Sequence, residues 1–193
     1  MKDISPARLV AFEILMRIEK ERAFSSALLP IYEENLDKKD RGLCHELTLG
    51  VLRHQLYTDK IIQSLTNKRT EKFDLEVLIS LRLGIYQLLF LDRIPAYSAI
   101  NESVNLIHRA KKRSASGLVN AILRRVSRKE FPEFAFSDEI EKISIENSHP
   151  RWLIEEWVKQ FGLSAAEAIA RANNETPKAA FRFTANFYKK GLA

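Results

Sequence analysis

Apolar residues recur at helical spacing along most of the chain, and one stretch breaks that pattern by being apolar on nearly every side. Of the sixteen residues from Glu76 to Leu91, only Glu76, Ser80, Arg82, Gly84 and Gln87 are not apolar. These five do not form a polar face wide enough for a surface helix, so the segment is predicted to be buried on several sides. It is too short and too interrupted for a membrane span, which needs about 20 apolar residues. Asp74 reads as its N-cap, and the Pro95 region as its limit. Gly84 costs about 1 kcal/mol against Ala mid-helix, which predicts close approach of a neighbouring helix there. The expectation is an all-α fold laid around this central helix.

The flanking segments supply the other helices. Ser5-Pro6 is a start signal, a capping hydroxyl before Pro at the first helical position. Leu9, Val10, Phe12, Ile14, Leu15 and Ile18 follow at helical spacing. Ser25 or Ser26 opens a second helix running to Leu36, and Asp37 to Asp40 caps a third that holds Cys44 and His45. Tyr57 to Leu65 is a short fourth helix. Beyond the central helix, Ser98 is expected to cap a helix carrying Ile100, Val104, Leu106 and Ile107, with Glu102 supporting its first turn. A basic turn, residues 110–117, leads to a last helix beginning at Leu118. Residues 130–136 break the pattern and read as linker, followed by a short helix from Ser137. Arg151 to Phe161 is amphipathic, with Trp152, Leu153, Trp157, Val158 and Phe161 on one side and Gly162 as C-cap. Ser164 to Glu167 reads as a capping box. Ala179 to Phe187 alternates weakly and suits a strand that would need partners.

Charge changes the picture. The 193 residues carry a net +6, which favours an anionic partner. The excess is uneven: residues 1–131 hold 23 Lys/Arg against 16 Asp/Glu, and residues 132–193 hold 8 against 9. Ser103 to Lys129 contains no acid at all, yet carries Arg109, Lys111, Lys112, Arg113, Arg124, Arg125, Arg128 and Lys129. Neutral surfaces normally intersperse acids among such groups. Their absence points to a surface for a phosphodiester backbone. Lys2 and Arg8, at the entrance of the first helix, are further candidate phosphate contacts. The acid-free stretch holds no aromatic residue for base stacking, which argues for backbone or duplex contact.

Other chemistries find little support. A single cysteine, Cys44, excludes an internal disulfide and a cysteine-based zinc site, and fits a reducing, cytoplasmic compartment. His45 and His54 stand nine residues apart, not at metal-ligand spacing. Cys44 has no activating base nearby in sequence and reads as a small core residue. Six glycines leave no room for a dinucleotide fingerprint or a P-loop. No catalytic residue and no bound cofactor are expected in this chain, which reads as a binding module.

Several blocks resemble a known family. LRLGIYQLLFLDRIPAYSAINESVNLIHRA, then GLVNAILRRV, and earlier DRGLCHELTLGVLRHQLYTDKII, are similar to the NusB-like RNA-binding domain over about residues 5–128. The LRLGIYQLLF and VNAILRR forms most resemble the N-terminal domain of bacterial 16S ribosomal RNA cytosine-C5 methyltransferases. HPRWLIEEWVKQFG and ARANNETP resemble the segment that joins that domain to the catalytic part. The resemblance implies an S-adenosylmethionine-binding Rossmann domain beyond this chain, with a catalytic cysteine that attacks cytosine C6. Ala193 comes before any such motif, and Cys44 lies in the wrong domain for that role. The sequence therefore reads as a truncated product or a separately encoded piece. The implied organisation is a NusB-like helical bundle over 1–130, a linker over 131–148, and the incomplete start of the methyltransferase N-terminal subdomain over 149–193. The implied function is RNA binding that positions 16S ribosomal RNA for the catalytic domain, with no membrane partner. The alternative is a free-standing antitermination factor that binds leader RNA together with ribosomal protein S10.

Overall fold

Eleven consecutive residues, Val77 to Gln87, are buried along helix α5 (Leu75–Phe90). No single neighbour could cover a helix on every side, and α5 is shared between two hydrophobic clusters. Ile79, Leu83 and Tyr86 face a cluster built with α1 (Pro6–Glu21), α2 (Ser25–Tyr32) and α3 (Lys38–Arg53). Val77, Leu78, Leu81 and Ile85 face another, built with α4 (Gln55–Thr66), α6 (Ala96–Arg109) and α7 (Ser116–Ser127). The fold is thus all-α, two sub-bundles on one inner rod, as the hydrophobic pattern predicts. The structure is a computed structural model that describes residues 4–175; Lys2 and the strand expected at Ala179 to Phe187 lie outside those residues. No strand occurs among the described residues.

Gly84 is where α6 and α7 reach the rod. A Cβ there would meet Leu123 Cδ1 at 2.6 Å and Ser103 Oγ at 2.9 Å. The other close approach is Gly50 on α3, whose missing side chain is replaced by the Tyr86 ring.

The polar residues of the rod are all engaged. Arg82 forks onto Asp59 with two bonds of 2.8 Å and reaches Glu19 at 2.6 Å, tying α1, α4 and α5 together. Burial works against its charge, but the bonds to Asp59 and Glu19 outweigh it and its pKa is raised. Gln87 accepts from Arg8 and donates to the Leu83 carbonyl. Ser80 donates to the Ser103 carbonyl at 2.8 Å.

Several helix ends differ from expectation. α6 begins at Ala96 with Pro95 in the capping position, three residues before the expected Ser98 cap. Pro fixes the φ of −61° that leads into the helix, while Ser98 sits inside it and donates to Glu102. Asp74 stands at the N-cap of α5 but makes no capping bond. Asp37 does cap α3, accepting from the Asp40 amide at 2.8 Å. α10 (Leu163–Asn174) starts from Gly162 and not from a Ser164 box. With φ of 82°, Gly162 ends α9 (Arg151–Phe161) and begins α10 in one residue.

The segment expected as a linker is packed. Phe131 and Phe134 lie against the second hydrophobic cluster, and Tyr57 meets Phe134 edge-on at 6.0 Å. Lys60 lies 5.6 Å from the centre of the Phe136 ring and 3.9 Å from Glu141 of α8 (Glu139–Glu146). The Tyr57 amide donates to Ser148 Oγ at 3.0 Å. Three apolar rings within six residues gave this segment surface to bury, so it docks as a strap. Beyond it, α8, α9 and α10 share a small cluster of Ile143, Ile154 and Ala170. Trp157 packs against this cluster, whereas Trp152 and Phe161, expected on the same buried side, are exposed.

Candidate nucleic-acid interface

The acid-free stretch folds into the antiparallel hairpin α6–α7, joined through a short 3-10 turn at Arg113–Ala115. On α7, Val119, Ile122, Leu123 and Val126 are buried against the rod. Arg124, Arg125 and Arg128 are exposed. At 3.6 residues per turn, the three arginines fall within an arc of about 100° opposite the buried stripe. The apolar spacing of α7 therefore aims them outward together. Lys129 follows directly, with a positive φ of 57°.

Arg109, Lys111, Lys112 and Arg113 gather at the other end of the hairpin. Twelve residues of α7 at 1.5 Å each separate the two groups by roughly 18 Å. The basic surface is thus two clusters at the two ends of one hairpin. Arg109, Lys111 and Arg113 are exposed, with no acidic partner among the described residues.

Two expected contacts, Arg8 and Lys112, are altered by partners. Arg8 is corrected outright: its side chain is buried, with its Nε donating to Gln87 Oε1 at 2.6 Å and its Nη1 shared between Ser5 Oγ at 2.9 Å and Glu102 at 3.0 Å. Burial lowers its pKa, and Glu102 works in the opposite direction. It holds α1 to α5 and α6 and is turned away from any polyanion. Glu102 lies in the second turn of α6, not in the first as expected, and supports the start of α1 instead, also accepting from the Ser5 amide at 2.9 Å. Lys112 pairs with Asp74 at 2.9 Å, which raises its pKa and sets a carboxylate beside its charge. Arg128 approaches Glu130 only at 3.7 Å, with both side chains more than half exposed, so its charge stays available. Lys2 lies outside the described residues.

One residue that sequence reading missed belongs here. Tyr97, in the first turn of α6, is 71% exposed and borders a cleft shared with Arg124 and Arg128. Its helical position sets it off the buried face defined by Ala99, Ser103 and Leu106. A large aromatic on the polar side of an amphipathic helix was the signal, but it lies outside the acid-free run. The aromatic expected to be missing is supplied by the fold.

No other chemistry competes. Among the described residues, no group of three or more His, Cys, Asp or Glu is placed to hold a metal. None of the described helices is long and apolar enough to cross a membrane. Burial and nearby Glu33 push the Cys44 thiol up to about 11, the state of an inert core residue.

Two helical sub-bundles sharing one buried helix make an all-α fold of the NusB type. The NusB family model matches residues 5–128, and the chain belongs to that family. Residues 149–185 match a second family, described as "Methyltr_RsmF/B-like, ferredoxin-like domain". The chain is 34% identical over 178 residues to the "Probable ribosomal RNA small subunit methyltransferase B" of Bacillus subtilis, covering 91% of this chain and 40% of that one. It is 37% identical over 170 residues to the "Ribosomal RNA small subunit methyltransferase B" of Pseudomonas putida, covering 88% and 38%. The chain therefore spans about 40% of the length of the curated relatives it matches. Among solved structures, antitermination factors NusB and NusE in complex with dsRNA superpose with a TM-score of 0.59 at 22% identity, over 64% of this chain and 95% of that one.

Proposed function

We propose that this chain binds RNA and positions 16S ribosomal RNA for an S-adenosylmethionine-dependent cytosine-C5 methyltransferase domain outside it. The observation that carries this reading is the outward arginine face of α7. The three arginines share one side at the end of a helix locked to the core, and only Arg128 has an acid nearby, Glu130 at a loose 3.7 Å. Such a face attracts the phosphate backbone and releases counterions on binding. The methyltransferase side rests on the names of the relatives and on the match over 149–185. A free antitermination factor acting with ribosomal protein S10 has the fold in its favour but gives residues 149–185 no role.

The proposed division is an RNA-binding unit over 1–130, a docked strap over 131–148, and the start of a second unit over 149–193. S-adenosylmethionine would supply the methyl group in the catalytic domain, and none of the described residues is assigned to it. A ribosomal RNA substrate implies a cytoplasmic protein.

The test is a binding titration of the chain with a 16S ribosomal RNA fragment, read by fluorescence anisotropy. Replacing Arg124, Arg125 and Arg128 together by Gln should weaken binding by at least about ten-fold, the scale of losing even one bond to a charged group at about 1.5 kcal/mol. Replacing Lys111 and Arg113 tests the second cluster separately. Unchanged affinity in both variants would overturn the reading.

A further inference from the structure

The α6–α7 hairpin opens, at the end away from its turn, into a cleft of about 300 Å³ between the first turn of α6 and the last turn of α7. That volume is at the lower end of small-ligand pockets, about 300–1,000 Å³. Tyr97 stands at one rim, 71% exposed, and contacts no other ring among the described residues. Ile100 gives an apolar floor, 7% exposed, and the exposed Asn101 offers both a donor and an acceptor beside it. Arg124 and Arg128 form the opposite rim. Arg124 is exposed and reaches Asn120 through its Nε at 3.2 Å, a bond that does not use its two terminal nitrogens. Arg128 has only the loose contact to Glu130. A flat ring, an apolar floor, an amide and two exposed guanidinium groups thus meet in one cleft. A duplex offers backbone to such a site but keeps its bases stacked, whereas a single strand offers a base and a phosphate together.

We propose that this cleft holds one unstacked base of single-stranded RNA on the Tyr97 ring, with Arg124 and Arg128 against the adjoining phosphate. The inference rests on the RNA-binding reading above and makes it specific for single strands. It also replaces the expectation of duplex contact, because Tyr97 lies outside the acid-free run from Ser103 to Lys129 and joins it only in the fold.

The experiment compares the 193-residue chain on a labelled oligouridine strand and on a perfect RNA duplex of the same length, at one salt concentration. Tyr97→Ala should weaken the single strand about ten-fold, the scale of removing one base–aromatic stack, and leave the duplex unchanged. Tyr97→Phe should bind both as the wild type does, because the ring alone carries the stack. The pair Arg124→Gln and Arg128→Gln should weaken both ligands. A Tyr97→Ala protein that binds the single strand normally, or loses both ligands equally, overturns the cleft proposal. If the arginine variant still loses affinity in that case, the RNA-binding reading survives it. Wild-type protein that binds neither ligand overturns both. Tyr97 is exposed, so an unchanged thermal melt separates a missing stack from a damaged fold.

Discussion

His54 shows how a residue's surroundings set its chemistry. Its ring stacks on Phe90 at 4.0 Å, and burial, reinforced by Arg53 and opposed by Glu46, pushes its pKa down to about 4. The unfolded chain, with His near 6.5, binds more protons than the folded chain between about pH 4 and 6.5. Stability from this residue is therefore complete above about pH 6.5 and is lost as pH falls toward 4. Thermal melts across that range should show a steeper fall for the wild type than for His54→Gln. Cys44, held up to about 11, should resist thiol reagents at pH 8 until the protein is unfolded. The core reading of Cys44 was open to sequence because nothing nearby could activate it. The role of Arg8 was not, since its partner Gln87 lies 79 positions away and only the fold brings them together.

At the scale of elements, α5 was legible because nearly unbroken hydrophobicity allows only burial on several sides. Gly84 was readable as a contact point, though not which helices arrive. Gly84→Val should destabilise by about 1–3 kcal/mol, the usual cost of overpacking, measured by urea denaturation. Arg82 looked like one polar interruption among five, yet it joins three helices. Arg82→Ala would leave Asp59 and Glu19 without their partner and should cost about 3–5 kcal/mol in the same assay. The sequence signal puts the start of α6 three residues late because a serine is the better capping residue, while proline's fixed φ sets the actual boundary. The strap was read as linker because it has no helical period, but Phe131, Phe134 and Phe136 bury surface without one.

Across the whole molecule, the basic groups do not form one continuous ridge. They divide between the two ends of a hairpin whose inner face is fixed to the rod by Gly84, Leu123 and Val126. Composition revealed the missing acids, but not that Asp74 would fold across to Lys112 or that Tyr97 would join Arg124 and Arg128. The docked strap brings α8 against α4, so the elements that follow leave the bundle from a fixed place. The measurement that bears most directly on the cationic face is the salt dependence of RNA affinity. For the wild type, the logarithm of the binding constant should fall linearly with the logarithm of salt concentration. Replacing Arg124, Arg125 and Arg128 by Gln should make that slope shallower by about 2 to 3, close to 0.7–0.9 for each phosphate no longer neutralised. Parallel lines for the two proteins would show that these arginines never meet the backbone.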